Sequence, residues 1–157
     1  MATATLSKQN AFWGYIALTK PRIIVLLVFT ALGGMFVAAN GAPDVQLAAL
    51  VLVGGALAAG GANALNHYLD RDIDERMSRT RNRPVVQGSV QPRQALIFGI
   101  LLNVVAFAIL STTVNMLSAV LTLSATLFYV FVYTMSLKRT TTHNIVIGGA
   151  AGSIPPM

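Results

Sequence analysis

Between Asn63 and Pro84 the chain reads NALNHYLDRDIDERMSRTRNRP, which holds four of its five acidic residues and five of its eleven lysines and arginines. Asn66, Asp70 and Asp74 stand at i, i+4 and i+8, the spacing that stacks side chains on one helix face. At about 100° per residue they cover an arc of roughly 80°; Asn63 falls inside it and Asp72 points away. One amide and two converging carboxylates are hard oxygen ligands, suited to a magnesium ion that also holds substrate phosphates. Asn66, Asp70 and Asp74 are therefore the expected metal set, with Asp70 and Asp74 as its catalytic carboxylates.

The basic residues supply the other half of such a site. Lys20, Arg22, Arg79, Arg83 and Lys138 fall on the same side of the membrane by the count below and are candidate clamps for diphosphate oxygens, with Arg71 as a neighbour of the ligand arc. A prenyl diphosphate suits this setting, its tail in lipid and its charged head near the interface. Magnesium would act there as a Lewis acid toward the departing diphosphate. An allylic cation left behind needs aromatic faces and a dry pocket. Tyr68, Tyr129 and Tyr133 are available, although tyrosines at helix ends more often anchor at the interface. Asp70, Asp72 and Asp74 also imitate the opening of a calcium loop, but Glu75 replaces its turn glycine and Arg81 its final glutamate.

These residues sit in an apolar setting. The 157 residues are 55% hydrophobic and 10% charged, with a mean hydropathy of +0.67, whereas soluble domains carry about a quarter charged residues. An all-α integral membrane protein, a multi-span helical bundle in one domain, is the expected class. The net charge of +6 then reports topology and contact with the lipid bilayer rather than nucleic acid. The absence of cysteine rules out disulfides, thiolate metal sites and thiol catalysis.

Spans are expected at about 23–39, 47–65, 95–113 and 117–137, and a partial fifth at 144–157 that is too short to cross, since a helical span needs about 20 residues. The chain thus reads as truncated within a longer protein. Phe12, Trp13 and Tyr15 precede Lys20-Pro21-Arg22 like anchors at a membrane face, and Pro21 stands where a helix would begin. The glycines and alanines of 54–62 suit close helix packing. All eleven lysines and arginines fall in the N-terminal segment, the 66–93 site loop and the 138–143 loop, which share one side. The positive-inside rule makes that side cytoplasmic.

The pattern N-x-x-x-D-x-x-x-D at 66–74, followed by R-T-x-x-R-P at 79–84, resembles the first site motif of the UbiA superfamily of intramembrane prenyltransferases. Leu18-Thr-Lys-Pro-Arg-Ile-Ile24, the NHYLDRDID of 66–74, Tyr133-Thr134, Leu137-Lys-Arg-Thr140 and the final NIVIGGAAGSIPPM narrow the likeness to its haem-farnesylating branch. The resemblance implies the N-terminal half of a nine-helix membrane fold, in a bacterial inner membrane. It implies transfer of a farnesyl group from farnesyl diphosphate to a vinyl group of haem b, water adding to give haem O, with Mg2+ as cofactor. Asn66, Asp70 and Asp74 take the magnesium–diphosphate role by this resemblance, and the family's second motif and haem-contacting histidine lie beyond Met157. On that basis this half alone is expected to be inactive, and its haem-binding residues are unknown. His67 and His143 are read as polar interface residues.

Two other readings remain at this stage. One is a relative acting on a quinone precursor or phenolic acceptor; the other is a magnesium channel or transporter, which would more naturally place its charges near the bilayer midplane. If one helix face carries the metal, Asp70→Asn abolishes magnesium-dependent binding of a prenyl diphosphate while Asp72→Asn is mild. Titration of a fluorescent diphosphate analogue checks this, and equal losses from both variants would sink the one-face argument.

Overall fold

The computed structural model describes residues 12–137, and Lys138, the 138–143 loop, His143 and the expected fifth segment lie outside them. Among the described residues every regular element is helical. A short helix α1 (residues 12–19) leads into α2 (Pro21–Ala38), α3 (Val45–Leu69), α4 (Arg71–Arg76), α5 (Pro92–Thr113) and α6 (Met116–Leu127). A π-helical stretch, Phe128–Leu137, prolongs α6. Among the described residues four helices are long and apolar enough to cross a membrane: Pro21–Ala38, Val45–Leu69, Pro92–Thr113 and Met116–Ser136. The molecule is an all-helical membrane bundle.

Local chemistry explains where these helices start. Pro21 and Pro92 each occupy a first-turn position, where a missing amide hydrogen costs nothing and φ is already helical. Asp44 caps α3 by accepting from the Leu47 amide at 2.8 Å, and Asn115 caps α6 from Ser118 at 2.7 Å. Gln91 and Gln94 form a reciprocal capping box on α5.

Helix α3 is the centre of the bundle. It packs most extensively on α5 and also meets α2, α4, α6 and the π-helical stretch. Its buried face is built from small residues, among them Gly54, Ala58, Gly60, Gly61, Ala62 and Ala64. Gly61 meets Gly99 of α5, where an added Cβ would lie 2.7 Å from the Gly99 carbonyl. Such close backbone approach is how helices associate where the surroundings are as apolar as their side chains. By contrast α2 has no buried residue, and Leu26, Phe29 and Val37 lie open. Those side chains belong in lipid.

The segment after α4 is not a loose loop. Leu18 of α1, Ala64 of α3, Val85 and Val90 of the connection and Ala95 of α5 form one buried cluster, with Tyr15 and Phe98 packed against it. This cluster ties 77–91 back beneath the helix ends. The second span, expected to end near 65 and give way to the site loop, carries on as α3 to Leu69. Leu69 ends α3 and Arg71 opens α4, with Asp70 between them at φ −88° and ψ 1°, the bridge region between helix and turn. The amides of Asp70 and Asp74 still donate to the carbonyls four residues back, so the helical stacking survives the break.

Gly61→Ala should lower the thermal unfolding midpoint of the detergent-solubilised protein, since overpacking a close helix contact costs about 1–3 kcal/mol. Gly55→Ala should not, because a Cβ there meets nothing within 4 Å.

Candidate active site

Asn66, Asp70 and Asp74 come together as buried groups at the end of α3. Their exposures are 2%, 0% and 1%, while Asp72 is exposed. Ionised carboxylates are costly to bury unless opposite charge and hydrogen bonds surround them, and the structure provides both. Arg83 reaches back from the connection and forms an ion pair through Nη1 with Asp74 Oδ2. Asn66 Nδ2 donates to Asp70 Oδ2 at 2.7 Å. Lys20 Nζ donates to Asn66 Oδ1 at 3.2 Å from the break between α1 and α2.

Further polar residues hold this arrangement. Thr80 is buried and donates to the Asp74 carbonyl at 3.2 Å, which fixes the turn that brings Arg83 round. Thr134, 1% exposed, accepts from Asn66 Nδ2 at 3.4 Å and donates its own hydroxyl hydrogen to the Tyr129 carbonyl at 3.0 Å. That bond spans five residues, one π-helical turn. Rare π-helical geometry tends to occur at functional sites, and here it delivers a threonine from the fourth span to the acid cluster. Composition offered one signal for Thr134, a polar residue inside an apolar span. Its partner was not legible.

The basic candidates divide. Lys20 and Arg83 join the cluster. Arg22 and Arg79 are exposed, and so is Arg71, whose Nη1 donates to the Tyr68 carbonyl at 2.9 Å while its guanidinium lies 4.8 Å from the Tyr68 ring centroid. Lys138 lies outside the described residues. His67, expected at the interface, is buried at 3% exposure. It follows Asn66 on the packed end of α3, where the turn of the helix carries it inward.

Beside this cluster runs an apolar cavity of about 620 Å³ between α2, α3 and α6. Lys20, Asn63 and Tyr129 stand among its lining residues at one end, and Leu117 and Ser118 at the other. Tyr129 stacks on Tyr133 with ring centroids 5.3 Å apart and planes 19° from parallel. The arrangement is a charged, hydrogen-bonded head region opening onto a long greasy groove. It suits a molecule with an anionic head and an isoprenoid or acyl tail.

The donor set can be weighed for a metal. Among the described residues no group of three histidine, cysteine, aspartate or glutamate side chains could hold a metal ion, so a metal at the two carboxylates would draw further oxygens from the Asn66 amide, water or substrate phosphates. Two carboxylates and an amide oxygen suit a hard divalent cation and exclude a soft one. Lys20 and Arg83 now place positive charge on two of those three residues, where a cation would compete with them.

The profile of the UbiA prenyltransferase family matches residues 27–157. A protoheme IX farnesyltransferase of Symbiobacterium thermophilum is 53% identical over 143 residues, covering 91% of this chain and 48% of the relative. One from Streptomyces avermitilis is 57% identical over 141 residues, 90% of this chain and 46% of the relative. One from Thermus thermophilus is 53% identical over 149 residues, 94% and 24% respectively. The chain spans about half the length, or less, of these curated relatives. No solved structure matches it.

Removing Arg83 leaves the Asp74 carboxylate buried without its ion pair. Arg83→Ala should cost about 3 kcal/mol, the lower end of the range for breaking a buried pair because Arg83 itself reaches water. Adding Asp74→Asn should return much of that loss. Detergent unfolding of both single variants and the double variant measures the coupling.

Proposed function

Since the chain belongs to the UbiA prenyltransferase family, we propose that it is the site-bearing first half of an enzyme that farnesylates haem b to haem O. The observation that carries this reading is the junction of the buried Asn66, Asp70 and Asp74 set with a long apolar cavity at Lys20. A diphosphate placed there meets the Lys20 ammonium, and its tail meets a mostly apolar wall in which the hydroxyls of Ser118, Thr122 and Thr126 also stand. The relatives named above support haem as the acceptor.

The cavity is long enough for a fifteen-carbon tail. On α3 the lining runs from Val51 to Asn63, and on α6 and its continuation from Leu117 to Tyr129. Twelve residues of helix rise roughly 18 Å. Three isoprene units put twelve carbons in line, eleven bonds or about 14 Å at roughly 1.25 Å of advance per bond, which fits within that length.

Lys20, at the mouth of the cavity, and Arg83, beside Asp74, would bind diphosphate oxygens. Arg22, Arg71 and Arg79 are exposed and better suited to drawing the anionic head to the membrane face than to gripping it. Asn66, Asp70 and Asp74 would hold Mg2+, which when bound supplies Lewis-acid neutralisation of the leaving diphosphate. The bond between farnesyl C1 and the bridging oxygen breaks, and the electron pair leaves with diphosphate. The allylic carbon then forms a carbon–carbon bond with the vinyl terminus of haem, and water adds to the adjacent carbon with loss of a proton. The apolar groove keeps water from the allylic cation, and the Tyr129–Tyr133 stack offers it an aromatic face. By the positive-inside rule this head region faces the cytoplasm of a bacterial inner membrane.

The full-length protein, expressed in membranes containing haem b and supplied with farnesyl diphosphate and magnesium, should yield a haem heavier by one farnesyl group plus water. Mass analysis of extracted pigment checks this. Prenylation of a phenolic acid with no altered haem would move the acceptor to the quinone-precursor class, and magnesium flux without either product would remove the enzyme reading.

A further inference from the structure

Helices α1 and α2 do not run on into one another. Pro21 has no amide hydrogen and keeps the residue before it out of right-handed helix, so the chain must break at Lys20. Lys20 takes up the break in the left-handed region, at φ 54° and ψ 65°. Residues other than glycine are uncommon there and persist only where the surroundings over-determine them.

The surroundings are one face of α3. In an unbroken helix the Thr19 carbonyl would receive the Ile23 amide, but that amide donates to the Lys20 carbonyl at 2.9 Å. Asn63 fills the role instead, its Nδ2 donating to the Thr19 carbonyl at 3.0 Å. Gly60, one turn earlier on α3, makes the approach possible, since a Cβ there would lie 3.3 Å from the Thr19 side chain. Asn66, one turn later, accepts from the Lys20 ammonium. Asn63 itself is buried and lines the cavity alongside Lys20.

We infer that Asn63 is a positioning residue for Lys20. By capping the Thr19 carbonyl it holds the left-handed turn, and the turn aims the Lys20 ammonium at the head of the cavity. The place of Asn63 on the ligand arc thus serves the cation rather than the metal. What Lys20 holds there, a diphosphate, rests on the function proposed above; the dependence of the Lys20 turn on Asn63 does not.

The test uses the full-length protein in lipid nanodiscs as wild type, Asn63→Leu, Asn63→Asp, Lys20→Ala and the double variant Asn63→Leu with Lys20→Ala. Leucine keeps the branching of Asn63 in a larger side chain without a donor, and aspartate keeps its size and shape without one, so either decides if the other fails to fold. Deuterium exchange over residues 19–24 should rise in both Asn63 variants. KM for farnesyl diphosphate should rise about tenfold with kcat within about twofold, as for loss of one hydrogen bond to a charged group. The double variant should be no worse than Lys20→Ala alone, because both lesions act through one ammonium. Unchanged exchange over 19–24, or KM effects that multiply in the double variant, would overturn the inference. If the wild type transfers no prenyl group, the diphosphate reading fails, and the exchange result alone then upholds or overturns the role of Asn63.

Discussion

Two carboxylates buried at the edge of an apolar bundle are the constraint that shapes this molecule. Asp70 and Asp74 are as enclosed as any side chain in its core. Burial of charge at that depth is tolerable only with compensating charge and hydrogen bonds nearby. Arg83 comes from nine residues downstream of Asp74, Lys20 from the break between α1 and α2 and Thr134 from the fourth span. Each of those chain segments must then be led to one end of α3. The buried cluster of Leu18, Val85, Val90 and Ala95 against Ala64 does the leading.

The energetics of the bundle follow a different rule from those of the site. In lipid there is little hydrophobic gain in pairing two apolar helices, so close approach decides which faces meet. The small-residue face of α3 lets α5 come near, and the bulky residues of α2 stay outside. The same small residues leave room on the α6 side, where the 620 Å³ cavity lies. Packing on one side and space on the other are two results of one composition.

Two departures from regular geometry meet at the head region. Lys20 stands in left-handed conformation, a cost of about 1–2 kcal/mol for a residue with a Cβ, and the π-helical turn at Phe128–Leu137 is unusual for its length. Both irregularities bring a polar group to Asn66. Regular α-helix through either place would aim Lys20 and Thr134 elsewhere. Departures from regular geometry are expected where function rather than stability sets the geometry.

The sequence by itself determined the membrane class and the four long apolar helices. It also determined that Asn66, Asp70 and Asp74 would share a face and that Asp72 would not. Helical periodicity and hydropathy are local properties, and four residues of spacing say where a side chain points whatever the rest of the chain does. Tertiary structure decided the partners. Nothing in the spacing distinguishes Arg83, which reaches Asp74, from Arg79, which stays exposed; a turn fixed by Thr80 and a loop anchored by Val85 and Val90 make that choice. Nor does the sequence place Thr134 on Asn66 or Asn63 on the Thr19 carbonyl, contacts across 68 and 44 residues. Those pairings follow from how closely α3 lets its neighbours approach, a property of packed surfaces rather than of any one segment.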